Sequence, residues 1–285
     1  MAIEIVGDLE RMRNTCERLR NAGKIIGLVP TMGALHEGHL SLVRIARERA
    51  DTVVVSIYVN PAQFSTGEDL ESYPRVLERD VSLLQSAGAD YVFTPGDAMM
   101  YPSGFATYVV VGGLTEGLCG RSRPTHFRGV TTVVSKLFNI VRPHVAVFGE
   151  KDAQQLAVIR RMTRDLDFGV KIIGAPIVRE PDGLAMSSRN AYLTPEERQG
   201  AAVLNKSLRE AERLAATGET SAGEILARVR ETISQSPLAA IDYLELVDTD
   251  TLQPLTEVTG TGLLALAVRF GKTRLIDNTV LRVTH

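Results

Sequence analysis

A glycine-rich loop with two histidines is the segment of this sequence best suited to chemistry. Residues 29–40 read V-P-T-M-G-A-L-H-E-G-H-L and lead from a β-branched run into a helical pattern. Gly33 and Gly38 let the backbone approach a ligand closely, and the following helix N-terminus offers N–H groups and a positive dipole end to phosphate. His36 and His39 would flank this anion site and donate to phosphate oxygens that gain charge in a transition state. We therefore predict a nucleotide-binding loop.

Two other interpretations of the histidine pair remain open from these residues. Histidines three apart on a helix commonly form a cap or a surface pair. A zinc pair is disfavoured because H-E-G-H is one residue short of the H-E-x-x-H spacing, and Cys16 and Cys119 provide no cysteine cluster. The strand before the loop and the helix after it favour nucleotide binding.

Two later segments carry groups that suit a polyphosphate. The segment F-G-E-K-D-A-Q-Q occupies residues 148–155. Lys151 would neutralise triphosphate charge, Asp152 would accept from a ribose hydroxyl, and Gln155 would hold a polar acceptor. The alternative is a charged helix cap with Asp152 as a first-turn acid. Ser187–Arg189 combines two hydroxyls with a guanidinium fork, which also suits phosphate, although in isolation ordinary loop composition is the favoured explanation and the segment gains weight only beside the other two motifs.

Two further loops are candidates for contacts with a second substrate. Asn60–Phe64 follows a β-branched run, and Gln63 within it suits hydroxyl groups. Arg123–Gly129 precedes a helical pattern. The stretch Ser65–Ser72, followed by Tyr73, is a candidate mobile lid that excludes water. A plain turn is the alternative for each loop.

Composition excludes several classes of protein. The 285 residues carry 32 basic and 34 acidic side chains, a formal charge of −2, so no basic excess favours nucleic acid as the main partner. A mean hydropathy of +0.02 is typical of a soluble globule and excludes a membrane-spanning or disordered chain. The residues Met1–Glu4 begin no basic region or apolar run of signal-peptide length, so a cytoplasmic location is expected.

The elements that must position these loops alternate between strand and helix. The runs predicted as strands are Lys24–Val29, Thr52–Val59, Tyr91–Thr94, Val145–Phe148 and Lys171–Ala175. The predicted helices cover about 8–22, 39–50, 74–87, 128–141 and 152–166. This alternation predicts an α/β fold with a Rossmann-like, doubly wound parallel sheet, which binds ligands beyond the carboxyl ends of its strands.

A second pattern begins near Thr194–Glu197, where threonine and proline give a helix start signal. Two helices follow, separated by a break at Gly218 and Ser221, and then strands near 241–247, 263–269 and 274–277. We expect residues 1–185 to form the nucleotide-binding domain and residues 186–285 a smaller C-terminal α+β lid domain.

Taken in order, five motifs resemble the pantothenate synthetase family within the nucleotidyltransferase superfamily marked by H-x-G-H. They are P-T-M-G-A-L-H-E-G-H, Y-V-N-P-A-Q-F, R-P-T-H-F-R-G-V, F-G-E-K-D-x-Q-Q and M-S-S-R-N. The resemblance implies three ligands, which are ATP together with Mg²⁺, pantoate, and β-alanine. It implies condensation to pantothenate, AMP and pyrophosphate through a pantoyl adenylate, and it implies a homodimer.

The resemblance also implies roles for individual residues. ATP would be bound by Pro30, Thr31, Met32, His36, His39, Gly149, Lys151, Asp152, Val178, Met186, Ser187, Ser188 and Arg189. The catalytic residues among them would be His36, His39, Lys151, Ser187, Ser188 and Arg189. The other substrates would contact Asn60, Gln63, Tyr73, Arg123, His126 and Gln155. Arg189 stands in the region where the related K-M-S-K-S loop carries its last lysine, as it does across the family.

Two other functions remain open at this point. H-x-G-H alone does not fix the acceptor, so a nucleotidyltransferase could make a nucleotide conjugate of a different small molecule. A regulatory module could bind ATP without turnover. Lys151, Gln63 and Gln155 together favour the ligase over the module.

Overall fold

The chain divides into two units, each with its own sheet. A computed structural model describes residues 3–65 and 67–283. The first unit extends to Gly112 and also contains Arg123–Glu150 and Gln155–Pro176. The second unit consists of Gly113–Ser122, Lys151–Gln154 and the chain from Ile177 onward. By this division, the domain boundary expected after residue 185 lies within the second unit.

The first unit is built on a parallel six-stranded sheet with the order β1-β4-β3-β2-β5-β6. Its strands are β1 (Glu4–Val6), β2 (Ile26–Thr31), β3 (Thr52–Ile57), β4 (Tyr91–Phe93), β5 (Val145–Gly149) and β6 (Lys171–Ala175). The predicted Rossmann-like sheet is confirmed, and β1 is an additional edge strand. The strand order reverses between β2 and β5, which is where such sheets bind ligands.

Helices cover both faces of this sheet. The helices up to β6 are α1 (Leu9–Asn21), α2 (Glu37–Arg47), α3 (Leu77–Ala87), α4 (Asp97–Met100), α5 (Cys119–Ser122), α6 (His126–Val141) and α7 (Ala153–Asp165), of which α5 belongs to the second unit. Val53, Val54 and Val55 are consecutive on β3 and all fully buried. Because neighbouring strand residues point to opposite faces, this continuous burial requires cover on both sides.

A buried carboxylate from α3 fixes the loop that follows β2. Asp80 is only 1% exposed, and its Oδ2 and Oδ1 accept the backbone N–H groups of Ala34 at 2.8 Å and Leu35 at 2.9 Å. The loop needs this anchor because Gly33 and Ala34 both adopt positive φ, at 83° and 52°. A Cβ at position 33 would lie 3.0 Å from both Asp80 Oδ2 and Ile57 Cγ2, so a side chain there would crowd these two residues as well as strain the backbone.

The two helices beside this loop begin at different residues from those predicted. Helix α2 begins at Glu37 rather than 39 because the His36 side chain caps it. Helix α3 begins at Leu77 rather than 74. Arg75 instead donates hydrogen bonds to the carbonyl oxygens of Leu70, Glu71 and Tyr73 in the loop before α3, so this residue belongs to the loop.

The second unit is a small α+β structure with an antiparallel sheet in the order β7-β8-β9. Its later elements are α8 (Pro195–Ala201), α9 (Val203–Ala216), α10 (Ala222–Ser234), β7 (Ala239–Val247), β8 (Thr261–Phe270) and β9 (Thr273–Arg282). The predicted start signal is a capping box: Thr194 Oγ1 accepts the Glu197 N–H at 3.2 Å, and Glu197 Oε2 accepts the Thr194 N–H at 3.0 Å.

Across residues 3–65 and 67–283, we find no helix with the length and apolar character needed to cross a membrane.

Replacing Asp80 should loosen the loop after β2. In Asp80→Asn only one amide oxygen remains to accept, and the NH₂ group faces the second backbone N–H, so we expect a loss of about 1–3 kcal/mol in the free energy of unfolding. Urea unfolding measures this change. Glu78→Gln neutralises an exposed carboxylate in the same helix and should have almost no effect. Equal stability of the two variants would contradict the anchoring role.

His144 should make the first unit sensitive to mild acid. Its Nδ1 accepts the Ile26 N–H at 2.9 Å, and burial, followed by the charge of Arg20, lowers the pKa of His144 below 6.5. The unfolded chain therefore takes up the proton more readily, and this contribution to stability is lost as the pH falls below about 6.5. In His144→Asn the amide oxygen can still accept, so the fall in Tm from pH 7.5 to 5.5 should be smaller than in the parent. An identical fall would refute this assignment.

Candidate active site

His36 and His39 form a capping box at the N-terminus of α2. His36 Nδ1 accepts the Gly38 N–H at 3.1 Å, and His39 Nδ1 accepts the His36 N–H at 3.4 Å. Since both Nδ1 atoms accept, each neutral ring carries its proton on Nε2 and can use that atom as a donor. The ring centroids are 4.1 Å apart. The capping interpretation of the pair is therefore confirmed, and it leaves both rings arranged as donors beside a helix N-terminus.

The histidines follow β2 at the point where the strand order reverses. Residues Gly27 and Leu28 pair with Val145 and Ala146 of β5, so the carboxyl ends of β2 and β5 are neighbours. Pro30, Thr31 and Met32, predicted to contact ATP, are partly exposed at the end of β2. Gly149 ends β5 and has no atom within 4 Å of the position a Cβ would occupy. The first unit thus has open space at the edge where doubly wound sheets bind ligands.

The Gln63 side chain lies beside this edge with a fixed amide orientation. Its Oε1 accepts from Asn60 Nδ2 at 3.0 Å, and its Nε2 lies 3.1 Å from Met32 Sδ. Asn60 is buried, donates to the Gly129 carbonyl oxygen at 3.2 Å and accepts from the Tyr101 hydroxyl at 2.7 Å. Asn60 was predicted to contact substrate, and its polar atoms hold Gln63, Gly129 and Tyr101 in the structure. Gln63 consequently presents N–H donors next to Met32.

Arg123 and His126 both reach the Gln63 carbonyl oxygen. Arg123 donates to it at 3.2 Å, and His126, 9% exposed, places Nδ1 2.8 Å from it. Arg123 also binds both carboxylate oxygens of Glu68 at 2.6 Å. Burial raises the pKa of Glu68, but the hydrogen bonds and charge of Arg123 outweigh it and the net shift is downward. Arg123 and His126, both predicted to contact substrate, therefore hold the turn that carries Gln63. Arg123 also holds the following stretch through Glu68.

The stretch expected to form a lid begins with Ser65 and leads to Tyr73. Thr66 lies outside the described residues. Tyr73 was predicted to contact substrate, and it is buried with its ring edge-on to Phe64 at 6.1 Å. The Arg123–Glu68 ion pair ties this stretch to the segment before α6.

Helix α6 passes so close to the turn at Pro61–Gln63 that only glycine fits between them. A Cβ at Gly129 would lie 2.2 Å from the Ala62 carbonyl oxygen and 2.6 Å from the Gln63 backbone nitrogen. No side chain can be accommodated at such distances. The glycine of the R-P-T-H-F-R-G motif thus sets the position of the turn that carries Gln63.

The two adjacent glutamines of α7 have different environments. Gln154 is buried, and its amide donates to the Leu114 and Gly117 carbonyl oxygens at 2.9 Å and accepts the Cys119 N–H at 3.0 Å. Its hydrogen bonds therefore all stay inside the second unit. Gln155 is partly exposed and belongs to the first unit, as its predicted role in substrate binding requires.

In the second unit, Lys151 and Asp152 lie in a short 3-10 turn formed by Glu150–Asp152. Lys151 Nζ is 4.0 Å from Asp152 Oδ2, and the Asp152 side chain is nearly half exposed. The Lys151 carbonyl oxygen accepts from Asn278 Nδ2 at 2.8 Å. Lys151 and Asp152 therefore lie side by side on this turn.

The segment from Val178 to Arg189 forms a small hairpin followed by a 3-10 turn. The Met186 N–H donates to the Val178 carbonyl oxygen at 3.0 Å, and Arg179 bridges Ala185 in antiparallel fashion. Ser187 Oγ accepts the Arg189 N–H at 3.3 Å, which caps the turn Ser188–Tyr192. All five residues predicted to bind ATP here, Val178, Met186, Ser187, Ser188 and Arg189, are partly exposed.

Three buried residues that position these groups were absent from the sequence predictions. Asp80 had a detectable signal, because it is an acid lying three residues after Leu77 and four before Leu84, on the apolar stripe of α3. Gln154 was overlooked beside its neighbour Gln155. Asn278 gave no local signal, since its partner Lys151 is 127 residues away.

Within the part of the chain that the structure describes, no three or more His, Cys, Asp or Glu side chains are grouped so that they could hold a metal ion. The zinc interpretation of H-E-G-H therefore has no support among these residues.

Comparisons with known proteins agree with the motifs. A model of the pantoate-beta-alanine ligase family matches residues 4–280. The pantothenate synthetase of Acetivibrio thermocellus is 57% identical over 281 residues, which cover 99% of each chain. The resemblance inferred from the sequence is confirmed.

Solved structures show the same fold. A pantothenate synthetase from Thermus thermophilus superposes with a TM-score of 0.93 at 48% identity, covering 97% of this chain and 99% of that one. A pantoate-beta-alanine ligase from Francisella tularensis, complexed with beta-gamma ATP and beta-alanine, gives a TM-score of 0.81 at 34% identity and 98% coverage of both chains. With the family model matching residues 4–280 of this chain and relatives aligned over 99% of it, this chain belongs to the pantoate-beta-alanine ligase family.

Proposed function

We propose that this chain condenses pantoate with β-alanine at the expense of ATP, giving pantothenate, AMP and pyrophosphate. Membership of the ligase family supports the reaction, and a related ligase binds beta-gamma ATP and beta-alanine. The observation that carries the proposal is the His36–His39 capping box, which arranges two imidazole donors at the ligand-binding edge between β2 and β5.

In the first step, a pantoate carboxylate oxygen attacks the α-phosphorus of ATP. A new P–O bond forms, the bond to the bridging oxygen breaks, and pyrophosphate leaves with the electron pair, so pantoyl adenylate results. His36 and His39 donate from Nε2 to phosphate oxygens, and Lys151 supplies positive charge. Ser187, Ser188 and Arg189 bind the phosphates, with Met186 and Val178 against the nucleotide.

In the second step, the amine of β-alanine attacks the acyl carbon of the adenylate. The new C–N bond forms, the amine loses a proton, and AMP leaves with the electrons of the C–O bond. No side chain becomes a covalent nucleophile, so positioning and charge supply the catalysis. The mixed anhydride must be protected from water, and the anchored stretch before Tyr73 is our candidate for that cover.

Pantoate recognition is assigned to Gln63 and Gln155. The Asn60 amide holds Gln63 Oε1, so Gln63 offers N–H donors, and these suit the hydroxyl and carboxylate oxygens of pantoate. We assign Asn60, Arg123 and His126 to holding Gln63 rather than to direct contact with pantoate.

Mg²⁺ enters the reaction as part of the MgATP substrate. An ion held by phosphate oxygens and water would need few protein ligands. When bound, the ion neutralises charge on the phosphates.

We further propose a cytoplasmic homodimer. Family resemblance supports the dimer, and the supply of ATP supports the location. Sedimentation velocity at micromolar concentration tests the first proposal, with a single monomer boundary as the contradicting result.

The test of the function is pantoate-dependent exchange of labelled pyrophosphate into ATP, with Mg²⁺ and without β-alanine. Exchange establishes the adenylate step, and adding β-alanine should then release pantothenate and AMP. A folded chain that binds ATP without any exchange would be a binding module. Exchange supported only by another acid would indicate a different acceptor.

Removing the groups that act on phosphate should abolish most of the exchange. We expect His36→Ala, His39→Ala and Lys151→Ala each to lower the rate by about 10²–10³, because each loses a donor or charge used in the transition state. His144→Asn is the matched histidine control and should retain full activity at pH 7.5. Near-normal rates in all three variants would remove the assigned site.

Truncating the proposed pantoate residues should affect one substrate selectively. Gln63→Ala and Gln155→Ala lose amide hydrogen bonds to pantoate, so we expect the KM for pantoate to rise about tenfold while the KM for ATP changes little. Initial rates with each substrate varied in turn measure both constants. Parallel rises in the two KM values would contradict this division of roles.

A further inference from the structure

Two neighbouring residues of β9 hold both of the second unit's segments that we assign to phosphate binding. Asn278, 7% exposed, donates from Nδ2 to the Lys151 carbonyl oxygen at 2.8 Å. Asp277, 2% exposed, accepts from Arg179 at 2.6 and 3.0 Å, and Arg179 also donates to the Gly183 carbonyl oxygen at 3.1 Å. One strand thus binds the Lys151 turn and the hairpin that leads to Ser187.

The two β9 residues are also bonded to each other. Asp277 Oδ1 accepts the Asn278 N–H at 2.8 Å in addition to the Arg179 guanidinium. This bond links the buried ion pair directly to the backbone of Asn278. Movement of the Asn278 backbone would therefore disturb the ion pair.

The turn that carries Lys151 depends on such an external contact. It is a three-residue 3-10 helix, and short 3-10 segments are weakly stabilised by their own hydrogen bonds. The Lys151 side chain is 20% exposed, and its Nζ is 4.0 Å from the nearest Asp152 oxygen, a loose ion pair that gives the ammonium group little directional restraint. The point from which the lysine side chain starts is set by its backbone, and the Asn278 amide holds the carbonyl of that same residue.

We propose that Asn278 is a positioning residue for adenylate formation, acting through Lys151. Its amide fixes the Lys151 carbonyl and thereby directs the ammonium group toward the phosphates. The inference rests on the role of Lys151 proposed above. Because displacing a catalytic group by about 1 Å can cost 10²-fold in rate, loss of one buried hydrogen bond is enough to be seen in turnover.

The test is a double-mutant cycle in the pyrophosphate exchange assay. Asn278→Leu keeps the approximate shape of the side chain and removes the donor, and it is measured in the parent chain and in Lys151→Ala. We expect the single variant to lower kcat about tenfold or more with an unchanged KM for pantoate. In the Lys151→Ala background the same change should cost less than about twofold, because the group it positions is absent.

A neighbouring residue provides the matched control. Thr279 follows Asn278 on β9, and its hydroxyl donates to Glu212 of α9 at 2.6 Å, away from the Lys151 turn. Thr279→Ala should leave kcat unchanged. A general disturbance of β9 would lower the activity of both variants alike, and that result would overturn the proposal.

The remaining outcomes also decide the question. Parent-like exchange in Asn278→Leu, or an equal loss in both backgrounds, would overturn the positioning role while leaving the proposed function intact. If Asn278→Leu does not fold, Asn278→Ala takes its place, and failure of both to fold makes the residue purely structural. Absence of exchange in the parent chain would instead remove the proposed function and this inference together.

Discussion

The site in the first unit depends on the two hydrogen bonds that Asp80 accepts from the loop after β2. A buried carboxylate requires donors, and the turn at Gly33 and Ala34 has backbone N–H groups that no strand or helix pairs. The backbone N–H groups of Ala34 and Leu35 donate to the Asp80 carboxylate, so both the carboxylate and these donors have hydrogen-bond partners. The chain then leaves the turn in the direction that makes His36 the cap of α2. Helix α3 therefore fixes the loop through Asp80, the loop places His36 at the start of α2, and the cap orients the two imidazole donors.

The second unit uses the same strategy with different groups. Lys151 is carried by a turn too short to be rigid, and a buried amide from a strand distant in sequence holds its carbonyl. In both units most of the residues that we assign to ligand binding lie on loops or at the ends of helices and strands, while Asp80 and Asn278, which fix two of those loops, are buried polar side chains of regular elements. The assigned ligand-binding residues are mostly partly exposed, whereas Asp80 and Asn278 are buried.

Much of the fold was predictable because the strands are covered on both faces. A nearly continuous β-branched run such as Thr52–Ile57 can be recognised in the sequence, whereas β1, an edge strand of which only Val6 is buried, gives no apolar run. The loops of the site were predictable from composition and order. The hydrogen-bond partners of the polar side chains were not: nothing local in the sequence indicates that Asn60, Arg123 and His126 all bond to Gln63. Contacts such as that of Asp80 with Ala34 join residues 46 apart, which no local pattern contains.

The close approach of Gly129 to Ala62 limits how this scaffold can evolve. Because the backbones of α6 and the turn that carries Gln63 touch without room for a methyl group, the turn cannot shift toward the helix. Under the role that we propose for Gln63, a change of acceptor would therefore have to come from exchanging the side chain at position 63 or its neighbours on a backbone that stays in place.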